Sequence, residues 1–461
     1  MHLASIGIYR FNMVELGIEF GERAIKIFDA YPTEYYTIGR GLTLHSLFLG
    51  HLKTEFRENF QALNTALEAS LAAGDKILHV LNMGVMSAYR VWASENLAEV
   101  EAFISSVADE ISDWQESMRG GAFLIGVKQY SRALQGKTYA KTSSDVLSDD
   151  YHSSNDYVKF VRSRASNPDR PLTIYKSYEL ATLCRFGYYK EVIALSEWLI
   201  TVTDEIWCMR YTYSNMFYVS LAIIALVREQ PDRADRKQLL QRVEEYRTII
   251  STVASHCNVN YATFLSLLDA ELADISGRYG EVLQHYERAI DHAMLHSHVL
   301  DEALSLELYA DWLVRKGASR PARGIVLDCI SAYRRVGAFG KAQHVSERYE
   351  FLLYGTRSLS TQDAGTQTEA SQGVNTSYKL EQISSHDETQ TSADRTQQWL
   401  EPSLATSGAQ LIKEPPAALS GGLSAVGLDM VCTSGKLMSY SPNLLWSVCF
   451  LSFPFGIQSY A

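Results

Sequence analysis

Gly277-Arg278-Tyr279-Gly280-Glu281-Val282, inside residues 260–355, is the stretch that decides the fold. It joins two helix-patterned segments. Its wording returns at Gly187-Tyr188-Tyr189-Lys190-Glu191-Val192, so Gly-x-Tyr-x-Glu-Val occurs twice. A looser copy, Gly317-Ala318-Ser319-Arg320-Pro321-Ala322, begins 40 residues after Gly277. Glycine readily takes the left-handed conformation that ends a helix, and proline suits the first turn of the next. The flanking segments carry the helical period. Val282, Leu283, Tyr286, Ala289, Ile290 and Ala293 form one stripe, Ala322, Ile325, Val326, Cys329, Ile330 and Tyr333 a second, and Leu306, Tyr309, Ala310 and Leu313 a third. Such spacing puts each set on one side of a helix and excludes strand alternation.

These features predict paired helices of the tetratricopeptide type. The residues that define the repeat are the turn residues Gly187, Tyr189, Gly277, Tyr279 and Gly317, the small residues Ala270, Ala289, Ala310 and Ala322, and the bulky Tyr286. Small side chains let paired helices approach, and the aromatic ring fills the space between pairs. The turns at Gly187, Pro231-Asp232, Gly277 and Gly317 lie 40 to 45 residues apart. In the first part, breaks near Pro32, Lys53-Thr54, Gly74-Asp75, Glu95-Asn96, Gln115-Glu116 and Gly136 repeat at about one helix plus a short loop. Phe56, Phe60, Leu63 and Leu67 mark an apolar stripe between two of them. The expected fold is an all-α, right-handed superhelical solenoid of antiparallel helical hairpins, followed by a disordered tail. Its first half spans residues 1–136 and its second half 171–357. Residues 137–170, polar and without a stripe, form a linker or an excursion between the halves.

Past residue 357 the composition changes. Residues 358–425 are rich in Ser, Thr, Gln and Gly, with eight acidic and three basic residues. Too little apolar surface is available there to order the chain, so a disordered linker is expected. Residues 426–461 form an irregular apolar tail. Its run from Leu444 to Ile457 is interrupted by Pro454 and is shorter than the about 20 apolar residues of a membrane helix. Residues 432–461 of this tail fit the product of a truncated or misread gene.

The whole chain of 461 residues has a net charge of −11 and a pI of about 5.6, which argues against nucleic acid as a partner. Six cysteines are scattered without a Cys-x-x-Cys pair, as expected in a reducing cytoplasmic compartment. The first ten residues lack a basic leader region and a cleavage site. They read as the middle of a helix, as though taken from a longer protein.

Motifs with chemical potential are few. Gly136-Lys137-Thr138 ends like a phosphate-binding loop, but Ser131 stands where the first glycine of Gly-x4-Gly-Lys-Thr is required. His285, His292, His296 and His298 cluster on one hairpin, with His292 and His296 at i and i+4. A zinc hydrolase would place a glutamate beside the first of that pair, and Ala293 stands there instead. Ser385-His386-Asp387-Glu388 lies in the polar linker without the helix that a phosphoacceptor histidine needs. The aromatic run from Trp207 through Tyr211, Tyr213, Phe217 and Tyr218 reads as the core of a long helix. No residue is assigned to catalysis, to a cofactor or to a metal.

Beyond these repeats, residues 260–271 from Asn260 to Glu271, 285–293 from His285 to Ala293, 301–312 from Asp301 to Trp312 and 331–342 from Ser331 to Ala342 resemble one family. So does Phe20-Gly21-Glu22-Arg23-Ala24-Ile25-Lys26. The family is that of the large fungal hybrid histidine kinases with an N-terminal serine/threonine-kinase-like domain and a P-loop ATPase module. The resemblance covers residues 1 to about 357 and, through Gly427-Leu428-Asp429-Met430-Val431, the lead-in to a GAF domain. It covers none of the family's catalytic domains. It implies a non-catalytic interaction and relay segment of a phosphorelay stress sensor. Its partners would be proteins or neighbouring domains of the parent kinase, with no stable membrane insertion. A free-standing helical-repeat adaptor is the alternative, and an enzyme built on the histidine cluster comes third.

The missing phosphate loop and the isolated His386 generate a direct test. Incubated with γ-labelled ATP, the chain is expected to take up no label and release no phosphate. Label that appears on the protein and vanishes in His386→Ala would contradict this.

Overall fold

Alternation between helices that are apolar all round and helices that are apolar on one side sets the architecture. The computed structural model describes residues 2–354. Among these residues are eighteen α-helices and no β-strand. The first part contains α1 (His2–Phe11), α2 (Val14–Lys26), α3 (Tyr35–Phe48), α4 (Asn59–Ala72), α5 (Lys76–Trp92), α6 (Leu97–Glu110) and α7 (Gly120–Gln135). Then come α8 (Ser154–Arg164), α9 (Asp169–Arg185), α10 (Tyr189–Thr201), α11 (Arg210–Glu229) and α12 (Arg236–His256). The last are α13 (Asn258–Ile275), α14 (Tyr279–Leu295), α15 (Val299–Arg315), α16 (Ser319–Arg335), α17 (Phe339–Arg348) and α18 (Glu350–Leu353). They build an all-α solenoid of antiparallel hairpins.

Within each hairpin the two helices have different environments. Helix α11 buries 15 of its 20 residues, whereas its partner α12 buries 5 of 21. Helix α15 buries 11 of 17 and α16 only 6 of 17. The inner helices α5, α7, α9, α11, α13 and α15 follow one another in a row, and the amphipathic outer helices cover them. The aromatic run of α11 belongs to this core, with Tyr211, Tyr213, Phe217 and Tyr218 all buried.

Gly187, Gly277 and Gly317 have φ of +83°, +73° and +75°, the left-handed region that glycine enters without a Cβ penalty. Across each turn an amide reaches back to the last helical turn: Tyr188 to Leu183, Arg278 to Ala273 and Ala318 to Leu313, all at 2.9 Å. Ser297 takes the same conformation at φ +55° without being glycine, which is why the α14–α15 turn escapes the Gly-x-Tyr pattern. Ala270, Tyr286, Ala289, Ala310 and Ala322 are fully buried between hairpins. Tyr189 is half-buried, while Tyr279 is exposed beneath Lys316, whose Nζ lies 3.8 Å from the ring centre. Leu283 is exposed as well, because one residue beyond Val282 is 100° further round the helix.

Residues 137–170 form an excursion packed on the solenoid. Val146, Leu147 and Val161 are buried. Asp149 accepts hydrogen bonds from Arg132 Nε at 2.8 Å and Gln129 Nε2 at 3.1 Å. Tyr188 donates across to the Ala140 carbonyl at 3.1 Å. Val146 and Leu147 are adjacent, so no helical stripe signals them. The two expected halves share one core, in which α7 packs on α9 and also on α17. The expectations for residues 358–425 and 426–461 lie outside the described residues.

The contact of α7 with α17 closes the inner row. A Cβ on Gly340 would stand 2.2 Å from the Gly136 Cα, so the two backbones touch. Nearby, the Leu97 amide donates to the Val336 carbonyl at 2.9 Å. Gly324, on the outer helix α16, has nothing within 4 Å of its Cβ direction. Opposite outcomes follow for one substitution. Gly340→Ala is expected to destabilise by about 1–3 kcal/mol through overpacking, and Gly324→Ala to stabilise by about 0.5–1 kcal/mol through helix propensity. Urea unfolding of both variants checks this, and a Gly340→Ala protein as stable as its parent would contradict the contact.

Candidate functional site

In an open solenoid the inner face is the usual place for a partner. Here large side chains and a set of buried charges occupy it. Arg185 on α9 and Arg210 on α11 are 3% and 4% exposed, and Asp301 on α15 lies between them. Arg185 donates to the Leu300 carbonyl at 3.1 Å and to the Tyr218 hydroxyl at 3.2 Å, and it approaches Asp301 at 3.5 Å. Arg210 lies 3.9 Å from the other Asp301 oxygen and donates to the Asn260 carbonyl at 3.3 Å. Its guanidinium stands 4.4 Å from the Phe56 ring centre and 5.0 Å from that of Phe264, a cation–π setting. Burial raises the Asp301 carboxyl above its ordinary range, against the opposing pull of Arg210 and Arg185.

A second buried pair sits where α17 closes the row. Lys341 is fully buried, with its Nζ 2.8 Å from Glu307 Oε1 and hydrogen-bonded to the Arg185 carbonyl. Tyr333 donates to the other Glu307 oxygen at 2.9 Å. Burial lowers the Lys341 ammonium, and Glu307 opposes that shift. Burial by itself would raise the Glu307 carboxyl, but the Lys341 charge outweighs it and holds it low. These groups are buried against one another, with Arg185 Nε left without a hydrogen-bond partner.

The histidine hairpin is structural too. His292 and His296 rings are 4.7 Å apart, and His296 and His298 rings 6.0 Å. His292 Nδ1 is hydrogen-bonded to Thr263 at 2.8 Å, and the His298 ring lies tilted against Phe56, with ring centres 5.4 Å apart. His285 stands apart in an outer groove. Among the described residues no group of three or more His, Cys, Asp or Glu side chains is arranged to hold a metal ion. Lys137 and Thr138 are engaged as well, Lys137 with Glu101 at 2.7 Å and Thr138 with the Val146 carbonyl at 2.8 Å. His386 lies outside the described residues. Four cysteines, Cys184, Cys208, Cys257 and Cys329, are buried as free thiols.

Two open recesses lie along the outer helices. One, of about 450 Å³, runs between α12, α13 and α14 and is lined by Glu244, Arg247, Asp269, Arg278, Glu281 and His285. Its charges are held in place by pairing: Arg247 with Asp269, and Arg278 with Glu281. The inner charges escape reading from sequence because Asp301, Glu307 and Lys341 look like ordinary polar positions. The available signal is a charged residue on a helix that is otherwise apolar on every side, such as Glu307 between Leu306 and Leu308.

Among the described residues no helix is long and apolar enough to cross a membrane. The chain matches no protein-family model, and no curated protein matches it.

Burial pushes six of the described histidines, among them His51, His292 and His298, far below their ordinary value of about 6.5. His51, between the Tyr261 hydroxyl at 2.6 Å and the Cys208 carbonyl at 2.9 Å, falls to about 3. His298 falls to about 3 and His292 to about 4. The folded protein holds these rings neutral, whereas the unfolded chain protonates them below about pH 6.5. Their contribution is therefore complete above about pH 6.5 and is lost as pH falls towards their folded values near 3 to 4. Urea midpoints should fall steadily on acidification through that window, and His298→Phe should flatten the slope. An unchanged slope would mean that His298 is not buried as a neutral ring.

Proposed function

We propose that this chain is a non-catalytic helical-repeat scaffold for protein partners, and that it serves as the cytoplasmic interaction and relay segment of a phosphorelay histidine kinase. The observation behind the scaffold reading is the groove between α12, α13 and α14. Its alternating charges are mounted on packed helices, a preorganised surface that spends little ordering entropy on binding. The chain's own side chains take up the inner face, so recognition falls to the outside. The kinase assignment rests on the resemblance of residues 1 to about 357. A free-standing adaptor would use the same groove for a partner that is a separate protein.

Isothermal titration calorimetry against the purified ATPase, GAF and histidine-kinase modules of a fungal hybrid kinase tests both readings. At least one module is expected to bind, about tenfold more weakly to Arg247→Glu or Arg278→Glu, a loss of about 1.4 kcal/mol. Binding to none of the modules would overturn the relay reading. Binding that is indifferent to both variants would overturn the groove.

A further inference from the structure

Helix α2 presents an uncovered apolar stripe. It packs inward through Val14, Gly17 and Gly21, and a Cβ on Gly21 would stand 2.3 Å from Leu49 Cδ1. That contact leaves another side of the helix in solvent. Met13 at its N-cap, then Leu16, Phe20 and Ile27, are 46%, 39%, 55% and 57% exposed, at helical spacing along one line. Phe11, Tyr31, Tyr35 and Tyr36 are exposed beside them in the chain. A concentration of large apolar side chains on this scale marks an interaction surface.

The charges say what covers it. On one flank of the stripe the first half of α2 carries Glu15 and Glu19, and the second half carries Arg23 and Lys26. Glu19 and Arg23 pair within the helix. Glu15 and Lys26 have no ion-pair partner among the described residues.

We propose that a second copy of this chain docks here, α2 against α2 in antiparallel orientation, about a two-fold axis through Phe20. That axis sets Phe20 on its own counterpart, Met13 opposite Ile27 and Leu16 opposite Ala24. It brings Glu15 beside Lys26 and Glu19 beside Arg23, twice over, because a two-fold interface repeats every contact. A parallel two-fold pair would instead set this flank against the partner's other flank, where Gly17 and Ala24 lie, and leave Glu15 and Lys26 without opposite charges. The acidic-then-basic order along the flank therefore selects the antiparallel form, as flanking charges do in paired helices. The palindromic spacing of the stripe selects the register. A helix of 13 residues is about 20 Å long, and the neighbouring tyrosines widen the surface towards the roughly 800 Å² per partner of a stable interface.

Sedimentation velocity on the full chain at micromolar concentration tests the proposal. The parent protein is expected as a dimer, and Phe20→Asp as a monomer with unchanged helical circular dichroism. Glu15→Lys and Lys26→Glu each set like charges together and should weaken the dimer about tenfold. The double variant, Glu15→Lys with Lys26→Glu, restores opposite charges and should recover most of the loss. A monomeric parent overturns the proposal. So does a dimer that ignores these substitutions, or a double variant no tighter than either single one.

Discussion

Everything in this unit follows from the absence of a solvent side on its inner helices. Helix α11 buries three-quarters of its residues and α15 nearly two-thirds, so each needs neighbours on both flanks as well as an outer helix over its back. A straight row of such helices would leave the last one uncovered. The row ends instead with α17 against α7, and this return is possible because Gly136 and Gly340 let the backbones meet. Lys341 then sits in the closed junction. Its ammonium satisfies Glu307 and the Arg185 carbonyl, which would otherwise be buried with fewer partners. Desolvation offsets much of the attraction in such a pair, so its main effect is to disfavour any packing of α17 that separates the two charges.

The closed row also decides where recognition can occur. Arg185 and Arg210 lie in the interior, framed by Tyr218, Phe56 and Phe264 and sharing Asp301. Guanidinium groups tolerate this because they are weakly hydrated and stack on aromatic faces. In a solenoid filled in this way, side chains occupy the place of an inner groove. The outside carries the accessible chemistry: fixed charge pairs in the groove formed by α12, α13 and α14, and an apolar stripe on α2.

Those two outer surfaces differ in what they can bind. The α12–α14 groove pairs its charges internally, so a partner must match an existing pattern and specificity comes from that match. The α2 stripe contributes apolar area and leaves two charges without partners, which suits a surface that is complete only when covered. The two are distant in sequence, one on the N-terminal hairpin and one in the later repeats, although α2 packs on α12.

The sequence by itself determined the class of fold and much of its punctuation. The 3.6-residue period of the stripes, the left-handed glycines at 187, 277 and 317, and the small and aromatic residues between hairpins are local properties, and local properties survive without knowledge of neighbours. The sequence also showed the absence of a phosphate loop, because that motif is contiguous. The tertiary structure alone decided the rest. Arg185, Arg210, Asp301, Glu307 and Lys341 come together from four different helices, and nothing in their spacing along the chain distinguishes them from surface charges. Closure of the inner row depends on two glycines some two hundred residues apart. The anchoring of residues 137–170 depends on two adjacent apolar residues with no period. Periodicity tells which side of a helix is buried but not what lies against it, because that is set by contacts between distant parts of the chain.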